Sequence, residues 1–367
     1  MKQVASFLAL PGAPILALAL IIFPAPARAL IFNVNFDSTV TSQPNAAQIE
    51  AAYGVVTQAY SSLFTNPITV NITVSVESTG FGNSGLGLGG NPSYDQVVMA
   101  LADGATTFYA SNAIAGLPFD DPTPSQIWWI PSVEIKALTD MTSIFGADPD
   151  NTNSDGQFSF TTNDVTWAFC ATNRAVPGEY DFIAVAEHET SEVMGRCSGM
   201  GFISDGYVPF DLFRFTNGVR DLNGFDPATY FSIDNGVTPL KYYNSQVGGD
   251  PQDWAPTNNA DPYDYVLGPG VEAKLSAPDL TVMDILGYNL NFQPPMVAGT
   301  RLANGNFELT FTNVTGLNFW VLASTNLLTP TTNWVNLGPP TEIPINHYQF
   351  TDTNVANQGR FYQVILQ

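Results

Sequence analysis

The chain has 367 residues, 33 acidic and 11 basic, for a formal net charge of −22, with 45% hydrophobic and only 12% charged residues. Such a composition can bury a core, which excludes a charge-rich disordered tail, and so few cations exclude nucleic acid as a partner. The length predicts two folded units rather than one.

Residues 1–29 read as a leader and not as part of the fold. Lys2 gives a positive start, an apolar stretch broken at Pro11, Gly12 and Pro14 follows, and Ala27-Arg28-Ala29 has the small-x-small pattern of a cleavage site. The unbroken apolar run 15–23 is too short to span a bilayer, which needs about 20 such residues. The expectation is a signal peptide on a secreted protein, extracellular or periplasmic, monomeric and without an integral membrane segment once processed.

Alternation over 30–36 predicts a strand, and Ile49, Tyr53, Val56, Tyr60 and Leu63 at three- and four-residue steps predict a helix over 45–64. The β-branched run 68–76 predicts a second strand. The glycine-rich stretch 80–90 lacks the strand and helix context of a dinucleotide site and reads as a flexible loop or bulged edge strand. Helices are predicted over 94–103, 133–138 and 181–196, and a strand over 164–170. Periodicity then fails from 198 to 275, a length of irregular chain that is uncommon in a compact domain and usually functional. A helix over 276–288 ends at Gly287. After a composition break at 291–300, short strands with turn signals fill 301–367 and predict a small all-β sandwich, read as a separate appendage.

The chemistry is concentrated in Glu187-His188-Glu189-Thr-Ser-Glu192. On a helix, residues four apart share a face, so His188 and Glu192 could grip one metal ion. Glu189 is displaced by about 100° and could reach a water beside that ion as general base. The competing reading is a solvated helix face on which Glu192 pairs with Arg196. Apolar flanks (Phe182, Ile183, Val185, Val193, Met194) argue instead for a buried helix, where several carboxylates call for a cation. A third ligand must come from farther along, with Asp205, Asp211, Asp250 and Asp253 as candidates.

His188-Glu189-x-x-Glu192-x-x-Gly195 resembles the HExxHxxG signature of metzincins, with glutamate in place of the second histidine. In leishmanolysin-like members an insertion separates that helix from a third ligand often written His-Trp, and Gly248-Gly-Asp-Pro-Gln-Asp253-Trp254 resembles that segment with Asp253 at the ligand position. The resemblance extends with gaps over 30–290 and departs at the family's Met-turn, where Tyr263-Asp-Tyr-Val-Leu-Gly-Pro269 contains no methionine. It implies an α+β metzincin-like catalytic domain at 30–290, a linker at 291–300 and a β-sandwich at 301–367. It also implies a secreted metalloprotease, a zinc-type endopeptidase cleaving peptide or protein substrates. Its metal would sit on His188, Glu192 and Asp253 (Asp211 or Asp205 as alternatives to the last), with Glu189 as base. Two carboxylates in the ligand set shift preference from zinc toward manganese, iron or calcium. The rival functions are a catalytically silent binding protein of the same fold that keeps a structural metal, and a carboxylate-pair glycosidase with no metal between its acids.

Two lesser signals complete the reading. Cys170 and Cys197, the only cysteines, could form one disulfide in an oxidising compartment. Asp148, Asp150, Asn153 and Asp155 partly match a calcium loop without its closing glutamate, a pattern an Asx-rich turn explains equally.

Overall fold

The computed structural model describes residues 30–138, 144–146, 152–200, 206–224, 226–291, 297–314, 316–344, 346–353 and 359–366. The proposed signal peptide, Asp148, Asp150 and Asp205 all lie outside these residues, as does half of the expected linker. Among the described residues, no helix is long and apolar enough to cross a membrane.

The fold is mixed α+β, with several sheets and helices. Its central sheet has four strands in the order Ile31–Phe36, Thr69–Glu77, Gly156–Thr161, Gly82–Leu86. The first three run parallel and the last is antiparallel at the edge. Val70, Ile72 and Val74 are buried on one face by the period-two alternation. The helix Ala46–Leu63 buries Ile49, Tyr53, Val56, Tyr60 and Leu63, the stripe its spacing predicted. The glycine-rich stretch is two strands, Gly82–Leu86 and Leu88–Gly90, and the first closes the sheet beside the central helix.

That helix, Phe182–Val193, is buried along almost its whole length. Asp181 caps it, accepting from Ala184 N, while Arg174 Nε donates to both oxygens of the same carboxylate at 2.9 Å. Two tyrosines of the neighbouring helix fix its register: Tyr60 Oη donates to the Glu187 carbonyl at 2.8 Å, and Tyr53 Oη lies 3.0 Å from Thr190 Oγ1. Gly195 ends it with φ +117°, where a Cβ would also come within 3.1 Å of Glu134 Oε2.

No clear division into a catalytic domain and a discrete C-terminal sandwich is seen. The C-terminal strands do form two antiparallel sheets, one of four strands and one of three. Their buried residues Leu309, Phe311, Leu317 and Phe319 nevertheless belong to one continuous hydrophobic cluster with the rest of the chain. Leu275 and Leu317 form a parallel bridge, and Gly316 packs against the Glu187 carboxyl group.

One further expectation is corrected. Cys170 is exposed and Cys197 buried, and both are free thiols, so the anticipated disulfide is not formed. Of the calcium-loop candidates, Asn153 and Asp155 are described: Asp155 Oδ2 accepts from Lys136 Nζ at 2.7 Å and from Asn71 N at 2.7 Å, a buried ion pair that ties helix Ser132–Ala137 to the central sheet. Asn153 is engaged in other contacts.

Candidate metal centre

His188 and Glu192 project from the same face of the buried helix, with His188 Nε2 3.4 Å from Glu192 Oε1. Asp253 reaches them from the loop after Gly248-Gly249, its Oδ1 3.2 Å from the same imidazole nitrogen. One ligand atom from each of the three lies within 4.8 Å of the other two. A tetrahedral ion with bonds of about 2.1 Å separates its ligands by about 3.4 Å, so the two measured edges suit a small divalent cation. His188 Nδ1 lies 2.8 Å from the Pro262 carbonyl. An N–H there donating to that oxygen turns Nε2 toward the cluster, where a metal ion would take the place of a proton, the second contact that metal-ligating imidazoles usually make.

The carboxylates are held in place. Glu192 Oε1 accepts from Gln252 Nε2 at 2.7 Å and from Arg196 Nη2 at 3.3 Å, and Oε2 accepts from Ser84 Oγ on the edge strand at 2.7 Å. Asp253 Oδ1 accepts from Arg196 Nη1 at 3.1 Å. Burial works against the Glu192 carboxylate, yet His188, Arg196 and Gln252 outweigh it and hold its pKa at about 2. Burial likewise opposes the His188 imidazolium, but Asp253 and Glu192 raise its pKa well above the ordinary value. Glu189 shows the opposite behaviour to Glu192. Burial and then the Glu192 carboxylate push it well above the usual carboxylate range. One helix turn thus carries two carboxyl groups whose surroundings push their pKa values in opposite directions, the kind of separation that acid–base chemistry uses.

These residues face an open cleft of about 420 Å³. Its lining includes His188, Glu189, Asp250 and Asp253 together with Phe81, Tyr180, Val185 and Leu267. Gly82 is required at the rim: a Cβ there would meet Val185 Cγ1 at 2.6 Å and Glu189 Oε1 at 2.7 Å. Asp250 is raised to about 6 by burial and by the carboxylates of Glu192 and Asp253, and its side chain remains outside the triad.

Asp211 is placed elsewhere. Its buried carboxylate accepts from Ser198 Oγ at 2.6 Å, Gly199 N at 2.9 Å and Val208 N at 3.0 Å, tying together the chain around 198–199 and 208–211. Tyr243, Trp254 and Tyr263 are fully buried and pin the long irregular segment to the core rather than lining the cleft. Sequence reasoning missed Ser84, Gln252 and Pro262, which carry no ionisable group to attract notice. It saw the Glu192–Arg196 pair only as a surface pairing, whereas both side chains are buried.

No family model, curated protein or solved structure matches the chain. The expected kinship with leishmanolysin-like metzincins, and with it the identity as a metalloprotease of that group, is corrected. The cluster that forms is one histidine and two carboxylates at positions 188, 192 and 253, which agrees with that signature in neither spacing nor composition. What stands is a buried His/Glu/Asp cluster able to coordinate a divalent metal ion.

Proposed function

We propose that His188, Glu192 and Asp253 hold one divalent cation, and that the chain hydrolyses an amide bond, a peptide being the substrate class, with Glu189 moving the proton. The observation that carries this reading is the convergence of one donor atom each from His188, Glu192 and Asp253 beside a cleft lined by His188, Asp253 and Glu189. When bound, the cation would supply Lewis acidity toward a carbonyl oxygen and a water molecule. The remaining chemistry belongs to the chain. Glu189 takes a proton from the attacking water and returns it to the leaving nitrogen, a role that suits an acid whose surroundings raise its pKa. The apolar walls of the cleft seat the substrate and keep bulk water away. Two carboxylates beside one imidazole suit manganese or iron as well as zinc.

The test is hydrolysis of a peptide library by the metal-loaded protein. Glu189→Gln is expected to lower the rate by about a hundredfold or more while metal still binds. Glu187→Gln should change it little, because Glu187 faces Arg174 at 3.6 Å and is raised to about 8 by burial. Undiminished hydrolysis in Glu189→Gln would contradict the proposed role, and metal binding without hydrolysis of any peptide would contradict the activity.

A further inference from the structure

The proposed site contains a cation of its own. Arg196 is fully buried one turn beyond Glu192, and its guanidinium reaches both segments that supply ligands, the helix and the loop of Asp253. Nη1 lies 3.1 Å from Asp253 Oδ1 and Nη2 lies 3.3 Å from Glu192 Oε1. Nη2 also approaches the His188 carbonyl and Nη1 the Gln252 carbonyl, each at 3.4 Å. Nε donates to Ser191 Oγ at 2.7 Å, and the guanidinium carbon sits 4.3 Å above the Tyr263 ring. Every donor has a partner, so the fork cannot rotate away.

The oxygens involved matter most. Asp253 Oδ1 and Glu192 Oε1 are the two atoms that face His188 Nε2, and they are also the two that accept from Arg196. A cation between the three ligands must therefore share both donor oxygens with the guanidinium. With neutral imidazole, two carboxylates and one guanidinium, the formal charge of the site is −1 rather than −2. Coulomb attraction scales with the charge of the incoming ion, so one unit of site charge bears more heavily on a trivalent ion than on a divalent one.

Building on the metal reading above, we propose that Arg196 is the positioning residue that sets which cations the site accepts. It aligns Glu192 and Asp253 before a metal arrives, and its charge lowers the site's preference for trivalent over divalent ions. Sharing the donor oxygens also drains electron density from both carboxylates, which keeps a bound metal a stronger Lewis acid than two free carboxylates would allow.

The experiment compares Mn²⁺ and Tb³⁺, hard ions of similar size that differ by one charge, by calorimetric titration of the full chain and two variants. The wild-type protein should bind Mn²⁺, and Arg196→Gln should raise the preference for Tb³⁺ over Mn²⁺ by about tenfold or more. Arg196→Lys restores the charge without the fork and should keep the wild-type preference within about threefold. A purely structural role would weaken both ions alike and leave their ratio unchanged, which overturns the proposal. A shifted ratio in Arg196→Lys overturns it too, and that variant decides the matter if Arg196→Gln does not fold. Failure of the wild-type chain to bind Mn²⁺ is a separate result, visible before any variant is made, and it overturns the metal reading itself.

Discussion

At the scale of single residues, the account rests on which side chains are held and which are free to act. Glu192 is gripped by Ser84, Gln252 and Arg196, whereas Glu189 faces the cleft. Gly82 keeps the space around Glu189 open. Gly82→Ala is therefore expected to displace the Glu189 carboxyl group and lower hydrolysis by about tenfold or more while leaving metal affinity within about threefold, measured by paired rate and titration experiments. An equal loss of both would place the damage in the helix instead. Asp284 gives a residue-scale test that is independent of the site. Its Oδ2 accepts from Thr107 Oγ1, and burial raises its pKa to about 6. A carboxyl group raised in the folded state costs nothing below its ordinary pKa near 3.8, and the stability is lost as pH rises through about 6. Asp284→Asn should thus raise the melting temperature by a few degrees at pH 7 and by nothing at pH 4, read by thermal denaturation at the two pH values.

At the scale of elements, the helix Phe182–Val193 was legible because its apolar flanks and its histidine and glutamate four apart both follow helical spacing. The long segment after it was not legible. There the chain makes a small four-stranded antiparallel sheet from pieces of two or three residues, too short for any period to register. Asp253 could be picked out by its neighbours Gly248, Gly249 and Trp254, but its approach to Arg196 depends on loop closure across 57 positions, which no local pattern encodes. The same is true of the pairing of Lys136 with Asp155. The start of the helix offers a direct check. Asp181 caps it, neutralises buried Arg174 and accepts from Ala273 N at 3.2 Å. Asp181→Ala should cost about 3–5 kcal/mol in chemical denaturation, because it strands a buried guanidinium as well as a helix end. A loss below about 1 kcal/mol would mean that Glu187 at 3.6 Å suffices for Arg174.

Taken whole, the chain couples its C-terminal sheets to the helix that carries the site. Strand signals over 301–367 were legible from turn residues and alternation, but their seat on the rest of the molecule was not, since Leu275 and Leu317 meet through tertiary contact alone. Both leucines are buried in the shared core. Leu317→Ala should therefore cost about 2–5 kcal/mol and shift a single unfolding transition, whereas two transitions with only one displaced would mean separate domains. The central claim, that His188, Glu192 and Asp253 form one cation site, is tested most directly by calorimetric titration of chelator-treated protein with Zn²⁺ and Mn²⁺. The account predicts one ion bound per chain, with binding abolished in His188→Ala and weakened at least about tenfold in Asp253→Asn. Undiminished binding in both variants, or none in the wild-type protein, would contradict it.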